Sequence, residues 1–349
     1  MIELRENRFG IYNTPEEILA ILTEIARIYD LSSRRSGTYY LWDHTTIRRI
    51  NWFSPSSIKR FLGAWRRGGI PERLPSTCGA ETLRVKNHYL GFYPTKGVLI
   101  KVFLDPDAYQ SHIEAVERFN SFGFQHISAP HIHHKAIDPI THTVEEFVPG
   151  RNFLELPLDL SNDLLDELAR FHFDRPAIAK LELNESEKTQ ISKILEGFDL
   201  EPDQSSALLG LLEKDSWQVV LGEVHGDLSP GNLIQGRDGI FLTDWEGYSR
   251  GPVAQDLVKL YFQANEKLRE VILHSYKKAL KSLPISVDAG LFQTNLLFYT
   301  LRLLISITSK EHITMTQSVS SRVEKTRIEL EKKIRSSLQS QLIRISNLD

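Results

Sequence analysis

Three residues with hard oxygen donors stand in order in this chain. Asp227 is followed five positions later by Asn232, and Asp244 comes twelve beyond that, with apolar strand-like runs on both sides. These are the side chains that moving a phosphoryl group requires. One carboxylate orients and deprotonates an attacking hydroxyl, while an amide oxygen and a second carboxylate hold a divalent cation. The first two lie in Val224-His225-Gly226-Asp227-Leu228-Ser229-Pro230-Gly231-Asn232-Leu233, the third in Thr243-Asp244-Trp245-Glu246. Asp227 is read as the catalytic base, and Asn232 and Asp244 as Mg2+ ligands. Either fragment alone reads as a turn rich in Asp, Ser, Pro, Gly and Asn; the ordered set is what carries the assignment.

The elements around these residues must aim them. Strands are expected at Gln218–Val224, Asn232–Gln235 and Gly239–Thr243, with Gly226 and Gly231 giving the loop a tight path and Pro230 stiffening it. His225 is read as a structural residue that ties the loop to backbone. Asp256, in Gly251-Pro252-Val253-Ala254-Gln255-Asp256-Leu257, is read as a buried scaffold carboxylate that accepts N–H bonds from the catalytic loop. Helical periodicity covers 161–173, 185–198, 204–212, 253–283, 289–308 and 318–345. Before Gly150 the pattern is that of short strands, 82–92, 97–104 and 140–148, with one helix at 109–122. Near the amino end, Thr14-Pro15-Glu16-Glu17 reads as the start of an amphipathic helix ending near Asp30, followed by short helix and turn as far as Gly69. The expected organisation is a basic, aromatic-rich N-terminal extension (1–69), a small sheet lobe (70–150) and a helical lobe (151–349).

At 349 residues, 41% hydrophobic and 25% charged, the composition is that of an ordinary globular protein with room for a sizeable core. The single cysteine, Cys78, excludes an internal disulfide framework and fits a reducing compartment. The chain opens on charged residues rather than a signal segment, and Leu296–Ile307 is short and carries Arg302, so it reads as a buried helix. A cytoplasmic protein without a membrane span is expected. Between Arg27 and Arg73 ten basic residues face three acidic ones, leaving −10 for the remainder of a chain whose total is −3. The aromatics Tyr39, Tyr40, Trp42, Trp52 and Trp65 interleave this stretch. Such a mixture suits nucleic acid or another anionic polymer, although a solvated basic face is the simpler reading. The histidines His126, His131, His133, His134 and His142 lack a metal-ligand pattern and are read as an exposed loop.

Taken together, His-Gly-Asp-Leu-Ser-Pro-Gly-Asn-Leu, Asp-Trp-Glu and Gly-Pro-x-x-x-Asp-Leu resemble the aminoglycoside phosphotransferase and choline kinase family. Leu168-Ala169-Arg170-Phe171-His172 is similar to a helix of that family, and Glu145-Glu146-Phe147-Val148-Pro149-Gly150 to its inter-lobe hinge. The resemblance spans roughly residues 75 to 310. It implies an α+β, protein-kinase-like fold, with a small antiparallel N-lobe sheet and a mostly helical C-lobe, and phosphorylation of small molecules from ATP. It also implies that backbone groups near Glu146 and Val148 bind adenine and that Lys101 reaches the α- and β-phosphates. A lysine among Leu99, Ile100, Val102 and Phe103 is costly to bury unpaired, so a helix carboxylate is expected beside it, Glu114 ahead of Glu117. No Gly-x-Gly-x-x-Gly is present; Ser76–Thr82, with Gly79, is the candidate phosphate-covering loop.

The twelve residues from Asp244 to Asp256 leave no room for the platform a peptide kinase needs, and no Ala-Pro-Glu follows. A small hydroxyl compound is therefore the expected acceptor: a sugar, amino-sugar or amino alcohol. Glu246, Tyr248, Tyr299 and Arg302 are possible lining residues. Two other readings stay open, a nucleotide-binding pseudokinase or adaptor, and a kinase whose polymeric acceptor is held by residues 27–73.

Overall fold

A computed structural model describes residues 14–32, 78–85, 88–138, 140–181, 184–196, 217–283 and 289–308. It also describes the strand segments 6–7, 10–11, 40–43 and 46–49 and residues 332 and 335. The helices expected at 204–212 and 318–345, and most of the basic stretch 27–73, lie outside the described residues. The architecture is α+β, with antiparallel sheets. The chain divides into two compact units, the first formed by 1–121, 129–150 and 236–246, the second by 122–128, 151–235 and 247–349. One division falls at Gly150/Arg151.

The first unit is built on a seven-stranded antiparallel sheet. Its strand order is Tyr40–Asp43, Thr46–Arg49, Thr82–Val85, His88–Tyr93, Val98–Phe103, His142–Glu146, Ile132–Ala136. Where short helix and turn are expected before Gly69, the chain instead supplies the first two strands, and their pairing with Thr82–Val85 fixes them. The interleaved aromatic and β-branched residues there suit a pleated ladder.

Helix α1 (Pro15–Ile28) opens on a capping box: the Glu17 N–H donates to the Thr14 hydroxyl at 3.3 Å, and the Thr14 N–H to the Glu17 carboxylate at 2.7 Å. Its apolar stripe of Ile18, Leu22 and Ile25 packs against Leu83, Tyr89, Ile100, Val102 and Val144 of the sheet in one buried core. Burying this stripe explains why the amino-terminal helix belongs to the sheet unit. Helix α2 (Pro106–Ser121) packs on the same unit through Tyr109, His112, Ile113, Val116 and Phe119. The histidines expected in an exposed loop mostly lie in sheet: His133 and His134 in the outer strand Ile132–Ala136, and a buried His142 in the strand it pairs with.

The second unit contains five described helices, α3 (Asn162–His172), α4 (Glu185–Glu196), α5 (Val253–Gln263), α6 (Glu266–Lys281) and α7 (Ala289–Thr308). The single helix expected over 253–283 is two helices, because Asn265 caps α6 by accepting the Leu268 N–H at 2.9 Å. Strand Trp217–Val224 lies between Ala177–Leu181 and Ser249–Pro252, and both pairings are antiparallel. Asn295 of α7 clamps this strand at both polar ends of its amide, accepting from the Val220 N–H and donating to the Gln218 carbonyl. No helix among the described residues is long and apolar enough to cross a membrane.

Candidate active site

Strand Trp217–Val224 delivers the chain into the loop 225–232 at the buried end of the second unit. His225 is fully buried, and its Nδ1 accepts the Asp227 N–H at 3.2 Å, which fits a neutral ring protonated on Nε2. The Asp256 carboxylate, 4% exposed on the first turn of α5, accepts N–H bonds from His225 at 2.6 Å, Gly226 at 3.0 Å and Leu228 at 3.2 Å. His172, at the end of α3, adds a fourth bond from Nε2 at 3.2 Å, and its Nδ1 accepts from the Tyr276 hydroxyl at 2.6 Å. Burial would raise the Asp256 pKa, but the His172 bond and the loop donors hold it below the ordinary carboxylate value. Tyr276, buried beside that charge, is shifted well upward.

Gly226 has φ 86°, and a Cβ there would stand 2.1 Å from the Gly247 carbonyl oxygen, so only glycine permits this approach. With the backbone so held, the Asp227 side chain is left half-exposed. Asn232 donates from Nδ2 to the Asp227 carbonyl at 2.9 Å and to Asp227 Oδ2 at 3.1 Å. Spending the amide nitrogen on Asp227 turns the Asn232 oxygen away from it, the end a hard cation requires. Lys259, on α5, donates to Asp227 Oδ1 at 2.6 Å. Two of the carboxylate's roughly four lone-pair positions are thus occupied, leaving acceptor capacity for a substrate hydroxyl.

The other candidate residues belong to the first unit. Alternation along Val98–Phe103 turns Ile100 and Val102 toward α1 and puts Lys101 and Phe103 on the opposite face. Lys101, 2% exposed, reaches Asp244 Oδ1 at 3.5 Å and forms a close ion pair with Glu246. His88 Nδ1 lies 3.4 Å from the same Glu246 carboxylate. Trp245 anchors the turn: it is fully buried, donates to the Leu242 carbonyl at 2.7 Å and packs on Phe119 with centroids 4.8 Å apart. Asp244 holds φ 73°, a left-handed conformation that non-glycine residues adopt sparingly and that clusters at functional positions.

The expected partner of Lys101 is corrected here. Glu114 lies on the exposed face of α2, and Glu117, also exposed, pairs with Lys135. The reason is the helix period: the buried stripe 109, 112, 113, 116 carries His112 inward and leaves both glutamates outside it. His112 Nε2 lies 2.9 Å from a buried Glu145, which Thr143 also hydrogen-bonds. Burial alone would raise the Glu145 pKa, yet His112, Lys101 and Thr143 bring it down to about 2. Burial lowers that of His112, and its Nδ1 has no hydrogen-bond partner among the described residues, as expected of a neutral ring that donates from Nε2.

At the end of strand His142–Glu146, the Glu146 N–H is committed to the His131 carbonyl at 2.8 Å. Val148 is buried, and none of the described residues accepts its N–H. Gly79 has φ 79° between buried Cys78 and Ala80, and the Tyr93 hydroxyl donates to the Cys78 carbonyl at 3.1 Å. Of the four possible lining residues, Glu246 is taken up by Lys101 and Tyr248 by the buried Glu223. Tyr299 and Arg302 line a cavity of about 400 Å³ in the second unit. Lys259 and His88 escaped the sequence reasoning. Lys259 did leave a signal, standing one helical turn beyond Asp256.

Residues 130–284 match the model of the phosphotransferase enzyme family. No curated protein matches the chain in sequence. Among solved structures, the chain is similar to a choline/ethanolamine kinase family protein from Mesorhizobium loti, with 10% identity, a TM-score of 0.43, and coverage of 76% of this chain and 92% of that one. The choline kinase LicA from Streptococcus pneumoniae gives 15% identity, a TM-score of 0.41 and coverage of 74% and 90%. An aminoglycoside phosphotransferase from Alicyclobacillus acidocaldarius gives 12%, 0.45, and 76% and 92%. Asp227, Asn232, Asp244 and Asp256 all lie within the stretch that matches the phosphotransferase enzyme family.

Proposed function

We propose that this enzyme transfers the γ-phosphoryl group of ATP to a hydroxyl of a small molecule, with Asp227 as the base. Asn232 and Asp244 would hold Mg2+, whose charge would offset that developing on the phosphates. The donor set fits a hard cation: a carboxylate oxygen from Asp244 and an amide oxygen from Asn232, whose nitrogen is bonded to Asp227. Lys101 would contact the phosphates, Gly79 would lie in the loop covering them, and Glu146 and Val148 would offer backbone groups to the base. Because the Glu146 N–H is already used, its carbonyl and the Val148 N–H are the groups assigned to that role.

The observation that carries this reading is the state of Asp227. Its backbone belongs to a loop that one buried carboxylate holds through three N–H bonds, while its own carboxylate remains half-exposed with acceptor positions to spare. Such a group is fixed in place yet accessible, as a base must be. ADP release across a panel of hydroxyl compounds tests it. Asp227→Asn should lower kcat by about 10²–10⁴-fold with little change in KM for ATP. Equal turnover in both proteins would remove Asp227 as the base, and no turnover in either would favour a nucleotide-binding adaptor.

A further inference from the structure

The cavity beside the catalytic loop has a charge that its neighbours determine. Its described lining includes Glu187 and Gln190 of α4, Gln255 and Lys259 of α5, and Tyr299 and Arg302 of α7. The only carboxylate among these is already committed, because Glu187 Oε1 accepts from Arg302 Nη2 at 2.7 Å. The guanidinium also stands over the Phe298 and Tyr299 rings, 5.8 and 5.9 Å from their centroids, so it is held by an ion pair and by two aromatic faces. Lys259 joins the cavity to the catalytic residue, lining the one and donating to Asp227 Oδ1 at 2.6 Å. At about 400 Å³ the space lies in the range of small-ligand sites.

Accepting the phosphotransferase reading above, we propose that the acceptor is a hydroxyl compound bearing an anionic group, a carboxylate or a phosphate, which Arg302 binds and Lys259 steers toward Asp227. The described lining holds two cations and one carboxylate; Arg302 is paired with that carboxylate, and Lys259 with Asp227 at the cavity's edge. An amine-bearing acceptor would meet Lys259 and Arg302, with Glu187 of the described lining engaged by Arg302 and the adjacent Asp227 by Lys259, a repulsive element in specificity. A guanidinium positioned by Glu187 and laid against two aromatic rings is pre-organised to receive a carboxylate or phosphate in its planar fork. Gln190 and Gln255 can hydrogen-bond the acceptor's remaining hydroxyls, and Val258, Leu303 and Ile305 supply apolar wall for its carbon face.

Calorimetric titration of the full chain with glucose, glucuronate, glucose phosphate and glucosamine reads binding without turnover. Both anions, or whichever of the two the site was built for, should bind about tenfold or more tightly than glucose, with glucosamine weakest. The order of glucuronate and glucose phosphate tells which anion is meant. Arg302→Ala should erase the preference and Arg302→Lys retain part of it. Glu187→Gln, which releases the guanidinium, should strengthen anion binding severalfold, an effect opposite to that of general destabilisation. Glucosamine binding as well as the anions, no anion binding in the millimolar range, or a preference unchanged in Arg302→Ala would overturn the proposal. ADP release measured in parallel separates the two readings. Anion-selective binding without Asp227-dependent turnover leaves the pocket assignment and removes the kinase, and Asp227-dependent turnover without anion selectivity does the reverse.

Discussion

Replacing Asp256 with asparagine changes one atom and one charge, and the structure says what that should cost. The carboxylate accepts four bonds. Oδ1 serves the Gly226 and Leu228 N–H groups at 3.0 and 3.2 Å, while Oδ2 serves the His225 N–H at 2.6 Å and His172 Nε2 at 3.2 Å. An asparagine with its oxygen toward Gly226 and Leu228 keeps those two bonds, without charge assistance. Its NH2 then faces the His225 N–H, a donor against a donor. His172 can adjust by exchanging tautomers, accepting at Nε2 and donating from Nδ1 to Tyr276, but a backbone N–H cannot. One buried N–H left unpaired costs about 1–3 kcal/mol. Losing the charge at two or three bonds adds about 1–2 kcal/mol more, since bonds to charged groups are worth roughly twice neutral ones. The expected loss is therefore about 2–5 kcal/mol. Urea unfolding should show it, and amide hydrogen exchange should show lost protection at His225, Gly226 and Leu228 specifically. Asp227 would lose its fixed position, so kcat should fall more than KM for ATP rises. A loss below about 1 kcal/mol, with loop protection intact, would refute the reasoning by showing that the buried carboxylate does not hold the loop.

Gly226→Ala should be severely destabilising, because a Cβ would meet the Gly247 carbonyl oxygen at 2.1 Å on top of an unfavourable φ of 86°; a melting temperature within a degree or two of wild type would contradict this. Lys101→Met leaves Asp244 and Glu246 without their shared cation and should cost about 2–3 kcal/mol by denaturant unfolding, with nucleotide affinity falling as well; an unchanged midpoint would argue that the pair is not formed. Acid should destabilise the first unit in two stages of the same sign. His112, whose folded pKa is lowered, takes up its proton more readily when unfolded, so stability declines as pH falls below about 6.5. Glu145, with its pKa lowered to about 2, contributes stability above pH 4.5 that is lost as pH falls toward 2. Glu145→Gln should flatten the lower limb in a pH series of unfolding curves, and an unaltered limb would assign it to other carboxylates.

Much of this protein is local, and the sequence alone determines it. The Thr14-Pro15-Glu16-Glu17 cap, the apolar stripes of α1, α3 and α7, and the turn chemistry around Gly226 each rest on residues within a few positions of one another. The order Asp227, Asn232, Asp244 and Asp256 belongs to the same level, because short loops leave those residue types few other uses. Tertiary structure decided what depends on residues far apart in the chain. The partner of Lys101 is 143 residues away in Asp244, and in Glu246, rather than on the helix that follows it. The period that identifies α2 turned Glu114 to water and His112 inward, but only the sheet's position made that the deciding fact. The strands Tyr40–Asp43 and Thr46–Arg49 formed because a sheet edge was there to pair with. Lys259 met Asp227 because α5 begins at the carboxylate that holds the loop, and the cavity took its charge from three helices no local pattern connects. Spacing along a chain fixes which chemistry its residues can offer, whereas which charges neutralise one another is settled by burial, once packing has brought distant segments together.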